Sequence, residues 1–238
     1  MIVAPISPNP EFPAPLLGEG IYTLPDAARL LSLPHGKLRN WVSGYLRVME
    51  GEEIQHRPAG AFEARGEGRE KTFNFWTLVE ISLVAKLRSA GLSMPKIRKA
   101  RKELAERFKT RYPFALEGIL TDRREILKSL GDGTTLLELG KGGVTSLEAI
   151  VAPFCVRLDF DAHTHLAERF YPDGRNSPVV VDPHRSFGRP VLGNTGIATE
   201  SLAALLWGGE TIEDVAASFD LDPEDVRKAW IFEQRMAA

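Results

Sequence analysis

The chain has 238 residues, 43% of them hydrophobic, and a formal net charge of −2 at pH 7, values that fit a globular protein of two or three small domains. No apolar run approaches the ~18 residues of a membrane span, and the Pro-rich residues 1–19 lack the basic start of a signal peptide. The single cysteine, Cys155, excludes an internal disulfide and fits a reducing compartment. We therefore expect a cytoplasmic protein without membrane association and with a flexible N-terminal tail.

Charge is divided unevenly along the chain. Residues 35–111 carry 17 Lys and Arg against 9 Asp and Glu, a balance of +8, whereas residues 112–238 carry 12 against 20, a balance of −8. A basic half of this kind can bind nucleic-acid phosphates through counterion release, whatever the acidic half does. The acidic half must therefore have a different role.

Two short helices separated by a tight turn are predicted near the start of the chain. Thr23 is a good N-cap, Asp26 follows it three residues later, and apolar residues recur at helical spacing up to Leu31. Residues 32–34 break this helix, and a second helix is predicted over residues 35–45. Its apolar face consists of Leu38, Trp41, Val42 and Tyr45, and its other side presents Lys37, Arg39, Asn40 and Ser43. This pattern is typical of a helix-turn-helix, whose second helix enters a DNA major groove, although a helical hairpin with a solvated basic face fits the same residues.

A wing and a second helical pair are predicted next. Residues 47–75 are rich in Gly and charge and predict a β-hairpin with a mobile tip, which carries Arg57, Arg65, Arg69 and Lys71. A helix then runs to Gly91, and Ser93 caps another helix that extends to Phe108. In that last helix the predicted buried stripe is Ile97, Ala100, Leu104 and Phe108, and the predicted outward residues are Lys96, Arg98, Lys99, Arg101 and Lys102.

Two segments of this region resemble the DNA-binding domain of MerR-type regulators. They are Leu38-Arg39-Asn40-Trp41 and Leu87-Arg88-Ser89-Ala90-Gly91-Leu92-Ser93-Met94-Pro95-Lys96-Ile97. That family has a winged helix-turn-helix followed by a helical pair with a similar Leu-Arg-x-x-Gly-Leu-Ser segment, and the resemblance covers about residues 20–108. The chain departs from the family at Asn40, where an aromatic residue is usual, and in its long wing, and the metal-binding cysteines of the family's sensor region are absent. The resemblance implies a DNA-binding domain over residues 20–111.

Residues 112–183 predict a small α+β module. Residues 119–121, 125–130 and 134–139 are predicted as short strands, the last two joined by a turn at residues 131–133. Thr145 and Glu148 have the spacing of a capping box that opens a helix ending before Pro153. Further strands are predicted over residues 155–160, 166–171 and 179–181.

Two patterns in this module invite a chemical interpretation. Residues 140–143, Gly-Lys-Gly-Gly, lack the spacing and the Gly-Lys-Ser/Thr ending of a phosphate loop and are better explained as a glycine turn. Asp159, Asp161, His163 and His165 alternate along a predicted strand end and could share one face as metal ligands, but no further ligand cluster completes a coordination shell. We expect no cofactor, no metal site and no catalytic residues, so an enzyme is not predicted.

Three capped helices are predicted in residues 184–238. Thr199 caps the first, which ends at the glycine pair 208–209, Thr211 opens the second, and Asp222 opens the third. This arrangement is also similar to a helix-turn-helix, but the third helix begins with Asp222, Glu224 and Asp225, whose carboxylates suit the helix dipole and repel DNA. A protein-binding or dimerising module is the better interpretation.

This segment resembles the small three-helix domain of unknown function that ends many prokaryotic antitoxins encoded beside PIN-domain ribonucleases. The matching residues are Gly188-x-Pro190-x-Leu192, Asn194-Thr195-Gly196-Ile197-Ala198-Thr199, Gly208-x-x-Thr211-x-Glu213-Asp214-x-Ala216 and Asp222-x-Glu224-Asp225-Val226-x-x-Ala229. Where the family has Gly-Thr-Arg-Ile, this chain has Asn-Thr-Gly-Ile, so that Arg is absent. The whole chain is thus similar to a long VapB-type antitoxin, which implies a PIN-domain ribonuclease toxin as partner and repression of its own operon.

The expected fold class is α+β, mainly helical, with a winged helix-turn-helix, a small middle module and a C-terminal three-helix bundle. Two functions remain open: an antitoxin that neutralises a ribonuclease and binds operator DNA as a dimer or higher toxin–antitoxin assembly, or a MerR-like transcription regulator without a toxin partner. The lack of a ligand motif favours the first. The residues expected to contact DNA are Lys37, Arg39, Asn40, Ser43, Arg47, Arg57, Arg69 and Lys71. Four arginines are candidates to pair with toxin carboxylates, although each also fits an ordinary surface charge: Arg185, Arg189, Arg227 and Arg235. Part of the dimer contact is expected from three aromatic residues that would also fit the chain's own core, Phe219, Trp230 and Phe232.

Overall fold

The structure is a computed structural model that describes residues 18–43, 45–48, 54–57, 62, 64–66, 71–122, 124–130, 136–139, 143–193 and 195–237. For residues 43, 45–48, 54–57, 122, 124–125, 136–139 and 143–145 it describes the backbone alone. The predicted tail up to residue 17, most of the wing tip including Arg69, the turn at residues 131–133 and residues 140–142 lie outside these ranges.

The N-terminal half is mainly helical. Its elements are β1 (Tyr22–Thr23), α1 (Leu24–Leu30), α2 (His35–Ser43), β2 (Tyr45–Val48), β3 (Ile54–Arg57), β4 (Thr72–Phe73), α3 (Phe75–Ser89) and α4 (Met94–Phe108). Strand β1 pairs with β4, and β2 pairs with β3, both antiparallel. A β-hairpin follows α2 as predicted, but its strands span Tyr45–Val48 and Ile54–Arg57 and not residues 47–75. Arg57, predicted at the tip, pairs with Tyr45 at the base of the hairpin, and Phe73 lies in β4, which pairs with β1.

Local capping signals define the helix ends in this half. The Thr23 hydroxyl accepts the backbone N–H of Asp26, and the Asp26 carboxylate accepts that of Thr23, so both halves of the predicted capping box are present. Asn74 caps α3 by accepting the N–H of Thr77 at 3.0 Å. Gly91 follows the end of α3 with φ 96°, a left-handed conformation that favours glycine, which confirms it as the helix-ending residue.

Three predictions for these helices are wrong in detail. Helix α2 ends at Ser43, so Tyr45 lies in β2 and not on the apolar face of α2, whereas Leu38, Trp41 and Val42 are buried as predicted. Arg101 of α4 does not point outward but is 8% exposed, because it pairs with Glu80 of α3. Phe108, predicted to be buried, lies in the last turn of α4 and is 37% exposed.

The central part contains more helix than its apolar runs suggested. Its elements are a 3-10 turn (Pro113–Ala115), α5 (Glu117–Asp122), α6 (Arg124–Leu130), β5 (Leu136–Leu139), β6 (Gly143–Ser146) and α7 (Leu147–Cys155). The strands predicted at residues 119–121 and 125–130 are therefore wrong, and β5 pairs with β6 instead of with residues 125–130. Short apolar runs occur both in strands and in buried helices, so they do not distinguish the two. Here Ile119, Ile126 and Leu130 lie on the short helices α5 and α6, and their side chains are fully buried in the core.

Helix α7 differs from its prediction at both ends. Ser146, and not Thr145, is the N-cap, since its hydroxyl accepts the N–H of Ala149 at 3.2 Å. The helix continues through Pro153 to Cys155, so the strand predicted from residue 155 begins only at Leu158. The Cys155 thiol, half-buried, donates to the Leu120 carbonyl oxygen at 3.0 Å and so connects α7 to α5.

A four-stranded antiparallel sheet follows. Its strands are β7 (Leu158–Phe160), β8 (Ala167–Phe170), β9 (Val179–Val181) and β10 (Pro190–Leu192), in the spatial order β10–β9–β8–β7. The structure thereby confirms the predicted strands at residues 166–171 and 179–181. The predicted domain boundary near residue 183 falls within this sheet, between β9 and β10.

The last part of the chain contains α8 (Thr199–Trp207), α9 (Ile212–Phe219) and α10 (Pro223–Ala237), which contact one another. Thr211 caps α9 by accepting the N–H of Asp214 at 3.1 Å, as predicted. Thr199 is not a cap: Ala198 occupies that position, and the buried Thr199 hydroxyl points to α10 and donates to Glu233. Among the described residues, no helix is both long and apolar enough to cross a membrane.

One hydrophobic core runs through these parts. The Trp76 indole N–H of α3 donates to the Ala167 carbonyl oxygen of β8 at 3.0 Å, and the Tyr22 hydroxyl of β1 donates to the Gly188 carbonyl oxygen at 2.7 Å. Gly188 has φ 84°, and a Cβ atom there would collide with the Tyr22 hydroxyl, so this contact requires glycine. The helix-turn-helix region therefore packs directly against the sheet and the C-terminal helices.

Candidate nucleic-acid interface and partner surface

Helix α2 presents a polar and basic side to the exterior. Leu38, Trp41 and Val42 fix the helix to the core, which leaves the side chains of Lys37 and Arg39 exposed and that of Asn40 half-buried. The Lys37 ammonium group lies over the Trp41 ring, 5.3 Å from its centroid. Three of the four residues predicted on the polar side of α2, Lys37, Arg39 and Asn40, therefore reach solvent. For the fourth, Ser43, the structure describes the backbone alone.

The wing hairpin carries two further predicted DNA contacts. Its register pairs Tyr45 with Arg57 and Arg47 with Gln55, which places positions 47 and 57 on the same face of the hairpin. Lys71, near the end of the wing, is half-buried, and the neighbouring Arg65 is exposed and forms an ion pair with Glu19 at 3.1 Å.

The end of α3 and the first turns of α4 add two arginines that were not among the predicted DNA contacts. A crevice of about 220 Å³ beside α2 is lined by Asn40, Trp41, Arg88, Ser93, Met94, Pro95 and Arg98. Arg88 and Arg98 therefore lie near α2, although about 50 residues separate them from it along the chain. The Leu-Arg-x-x-Gly-Leu-Ser segment, which contains Arg88, was the sequence signal for this contact.

The outward face of α4 carries less net positive charge than the sequence of this helix suggests. Lys99 pairs with Glu103 and Lys102 with Glu106, each at 3.8 Å and four residues apart. Because both lysines have carboxylate neighbours and Arg101 is buried, Lys96 is the exposed cation at the start of this helix. Two lysines of α4 therefore have part of their charge balanced by carboxylates of the same helix.

The four arginines predicted to bind a partner all form ion pairs within the chain. Arg185 pairs with Asp182 at 3.3 Å, Arg189 with Glu200, Arg227 with Glu224 at 3.0 Å, and Arg235 with Asp173 at 2.6 Å. The side chains of Arg189, Arg227 and Arg235 remain 62%, 48% and 44% exposed. A partner carboxylate could reach these three guanidinium groups, but it would compete with the pairs already present.

Four large apolar side chains of the C-terminal helices are exposed or half-exposed, and we refer to them together as the tryptophan patch. It consists of Trp207, Phe219, Trp230 and Ile231, of which Trp207 and Ile231 are 56% and 58% exposed. The rings of Trp207 and Trp230 meet edge to face, with centroids 5.1 Å apart. Phe232, predicted to contribute to dimerisation, is 1% exposed in the chain's own core, so it offers no surface to a second copy.

A cavity of about 400 Å³ lies between α1 and the helices α8 and α10. Its lining includes Ile21, Tyr22, Asp26, Arg29, Leu30, Arg189, Pro190, Thr199, Glu200, Trp207, Glu233, Met236 and Ala237. Glu233 is 8% exposed, and its carboxylate accepts the Thr199 hydroxyl. Burial, reinforced by nearby Glu200, raises the pKa of the Glu233 carboxyl above its ordinary value.

The Asp and His residues near β7 do not converge. Asp159 accepts the Tyr171 hydroxyl at 2.8 Å and pairs with Arg175, whereas His165 contacts Glu117 at 2.9 Å. Asp161 accepts the backbone N–H of Thr164 at 2.7 Å, and this bond lowers the pKa of the Asp161 carboxyl. Within the described residues there is no group of three or more His, Cys, Asp or Glu side chains that could hold a metal ion.

Comparison with known proteins gives family matches to two parts of the chain. Residues 20–101 match a family described as "Putative DNA-binding HTH domain", and residues 179–232 match a family described as "Protein of unknown function (DUF433)". The chain is 26% identical over 221 residues to "Putative antitoxin VapB45" of Mycobacterium tuberculosis H37Rv, which covers 88% of this chain and 92% of that protein. It is 25% identical over 226 residues to the uncharacterized protein Rv2308 of the same organism, with 90% of each chain covered.

A solved structure shows the same fold. The crystal structure of Rv2018 from Mycobacterium tuberculosis superposes with a TM-score of 0.66 at 24% sequence identity, covering 92% of this chain and 98% of that chain. Together with the family matches, these similarities support an antitoxin-like protein with an N-terminal helix-turn-helix domain of the DNA-binding type.

Proposed function

We propose that this protein is a DNA-binding antitoxin that neutralises a PIN-domain ribonuclease and represses its own operon. The observation that carries the proposal is a pairing of two unlike surfaces in one chain. The basic side of α2 lies in the segment that matches a DNA-binding family, and an acidic C-terminal region lies in the segment that matches DUF433. A distant relative that spans nearly the whole chain bears the name of an antitoxin.

The DNA contact is assigned to α2 and its surroundings. The polar side of α2 would enter the major groove of operator DNA, where an Arg can donate two hydrogen bonds to guanine; its residues are Lys37, Arg39, Asn40 and Ser43. The phosphate backbone would be held by residues of the wing and of the α3–α4 region, since phosphate contacts position the protein without reading sequence: Arg47, Arg57, Arg69, Lys71, Arg88 and Arg98. The wing and the α3–α4 turn would thus flank the recognition helix, as in the MerR type of this domain.

Dimerisation is part of the same proposal. One helix-turn-helix reads a half-site, and a two-fold dimer supplies the second at the spacing of a helical turn. Because Phe232 is buried, the apolar contact is assigned to Phe219, Trp230 and Ile231 of the tryptophan patch, while Trp207 also lines the cavity between α1 and α8. Such exposed aromatic residues are enriched at protein interfaces.

The toxin contact is assigned to the C-terminal region. Residues 199–238 carry 9 Asp and Glu against 3 Lys and Arg, a balance of −6, which suits the basic, RNA-binding surface of a ribonuclease. The carboxylate-lined catalytic pocket of a PIN-type nuclease would need a guanidinium partner instead. Arg189, Arg227 and Arg235 are exposed enough to exchange their present carboxylates for those of a toxin, and Arg185 is the more enclosed candidate, with a side chain 30% exposed.

The test is co-expression of the full chain with the nuclease encoded by the neighbouring gene. The proposal predicts a stable complex on size-exclusion chromatography, with nuclease activity lost in that complex. It also predicts that both the free chain and the complex retard the promoter DNA of the operon, while an unrelated DNA of equal length is retarded only at higher protein concentration. If the two proteins elute separately and cleavage of RNA continues, the antitoxin function is wrong.

A further inference from the structure

The cavity between α1 and the C-terminal helices has an unbalanced charge. Five charged side chains line it, three carboxylates and two guanidinium groups. Asp26 and Arg29 pair with each other at 2.7 Å, and Arg189 pairs with Glu200. These two pairs neutralise themselves, so Glu233 supplies the remaining charge, which is −1 when its carboxyl is ionised.

Glu233 is also incompletely satisfied. Among the described residues its hydrogen-bond donor is the Thr199 hydroxyl, which contacts one of its two carboxylate oxygens. An ionised carboxylate has about four acceptor sites, and enclosing it without charge-assisted donors is unfavourable. The charge of Arg29 acts to lower the pKa of Glu233, but the Arg29 guanidinium is bonded to the Asp26 carboxylate. An incoming donor would therefore be more strongly bound here than on an open surface.

Besides the hydroxyl groups of Tyr22 and Thr199, the rest of the lining is apolar, and the cavity has a suitable size. Ile21, Leu30, Trp207 and Met236 contribute hydrocarbon and aromatic surface to the same cavity. A volume of about 400 Å³ lies in the usual range for small-ligand sites and exceeds that of one long side chain. Trp207, which is 56% exposed, adds aromatic surface to this lining, against which a cation or its aliphatic stem can lie.

We propose that this cavity is a binding site for a guanidinium or ammonium group carried on a short aliphatic stem, with the cation on Glu233 and the stem against Trp207 and Met236. The site stands on the geometry of the cavity and does not depend on the presence of a toxin. Its position gives it a second property: α1 belongs to the helix-turn-helix and α8 and α10 to the C-terminal region, so one occupant contacts both.

Two sources share this chemistry, an arginine or lysine side chain of a bound protein and a free small amine. The first would make the cavity the anchor point of the partner. The second would make it the sensor of a ligand. Both sources require the same carboxylate and the same apolar wall, so the cavity is tested first with a small probe.

The experiment is titration calorimetry of the full chain with n-butylguanidine and with its neutral isostere n-butylurea. The wild-type protein is expected to bind n-butylguanidine at least ~10-fold more tightly than n-butylurea, because a charge-assisted hydrogen bond is lost in the urea. Glu233→Gln keeps the size of the side chain and an acceptor for Thr199, and it should weaken n-butylguanidine at least ~10-fold while changing n-butylurea less than ~2-fold. Glu213→Gln, at an exposed position of α9, is the matched control and should bind as the wild type does.

A second variant distinguishes the contribution of the apolar lining to binding from that of the Glu233 charge. Trp207→Ala retains Glu233 and should weaken both compounds, since it removes surface that both stems contact. If n-butylguanidine does not bind the wild-type chain, or binds Glu233→Gln as tightly as the wild type, the site is refuted.

A competition experiment with the nuclease then identifies whether the cation in the cavity comes from a partner side chain or from a free amine. Release of the neighbouring nuclease from the chain by saturating n-butylguanidine would assign the cavity to a side chain of the partner, and an unchanged complex would assign it to a free amine. Either outcome supports the site. Failure of the nuclease to bind at all would count against the antitoxin function, whereas the cavity would still be judged by the n-butylguanidine titrations alone.

Discussion

The carboxylate of Glu80 on α3 accepts two hydrogen bonds from the guanidinium group of Arg101 on α4, at 3.0 and 2.7 Å, with the Glu80 side chain fully buried. The other Glu80 oxygen accepts the backbone N–H of Phe114 at 3.1 Å, and Arg101 also donates to the Arg111 carbonyl oxygen at 2.6 Å. This pair therefore joins the two helices that support the DNA-binding region to the segment that leaves it.

Removal of Arg101 should be strongly destabilising. Arg101→Met leaves the Glu80 carboxylate buried without its cation, a change that costs about 3–5 kcal/mol of unfolding free energy. The double variant Glu80→Leu/Arg101→Met removes both charges and should recover part of that loss. Urea denaturation of the three proteins measures these differences, and Lys102→Met, at the exposed neighbouring position, should change stability by less than about 0.5 kcal/mol. Equal stability of Arg101→Met and Lys102→Met would contradict this account of the pair.

Arg101 also illustrates what sequence analysis missed although the signal was present. Position 101 is four residues after Ile97 and three before Leu104, so helical spacing places it within the buried stripe. It was predicted to be exposed because a charged residue is rarely buried without a partner, and that partner lies 21 residues earlier on another helix. Local capping signals, by contrast, needed no tertiary information, and Thr23 and Thr211 were predicted correctly from the chain alone.

Of the candidate sites, too, one could be predicted from local sequence and the other could not. Helical periodicity was sufficient to assign the exposed basic side of α2, because the burial of Leu38, Trp41 and Val42 determines it. The cavity around Glu233 could not be predicted, because Arg29, Thr199 and Glu233 come from three distant segments that meet only in the fold. The short apolar runs at residues 119–121 and 125–130 were predicted as strands but lie in helices, because runs of this length fit a strand and a buried helix equally well.

Arg39 should contribute directly to operator binding. If its guanidinium group reads a base, Arg39→Ala should weaken binding by about 1–3 kcal/mol, roughly 5–150-fold in the dissociation constant. Gel-shift titration against operator DNA at fixed salt measures the loss. Arg227→Ala, which removes an exposed arginine from α10, is the control and should leave operator affinity within about twofold. Unchanged affinity of Arg39→Ala would remove that residue from the interface.

The tryptophan patch should hold the dimer together. Ile231→Asp places a charge at an exposed apolar position of α10 and should convert the dimer to a monomer at micromolar concentration without unfolding it. Val156→Asp alters a side chain that is 63% exposed after α7 and should leave the dimer intact. Sedimentation velocity distinguishes the two states. A single 26.3 kDa species in the wild-type protein, or a dimer that survives Ile231→Asp, would contradict the assignment.

Glu233 should make stability depend on pH in a defined direction. Because its pKa in the folded protein is raised, the folded state retains this proton at pH values above about 4.3, where an unfolded glutamate has released it. Between the two pKa values the folded state binds more protons, so the unfolding free energy falls as pH rises and becomes level above the folded pKa. Glu233→Gln cannot titrate, so the difference in unfolding free energy, wild type minus variant, should decrease with pH across that window. Urea denaturation at several pH values from 4 to 8 measures it, and parallel curves for the two proteins would show that Glu233 has an ordinary pKa.

The central claim is that this chain neutralises a ribonuclease. The most direct measurement is the rate at which the nuclease of the neighbouring gene cleaves RNA, followed as the purified full chain is added in increasing molar ratio. We predict that cleavage falls to the background rate near equal molar amounts, and that the variant Arg189→Ala/Arg227→Ala/Arg235→Ala requires a larger excess than the control Lys228→Ala. Cleavage that continues at the same rate in the presence of a tenfold excess of the wild-type chain would show that the protein is not the antitoxin of that nuclease.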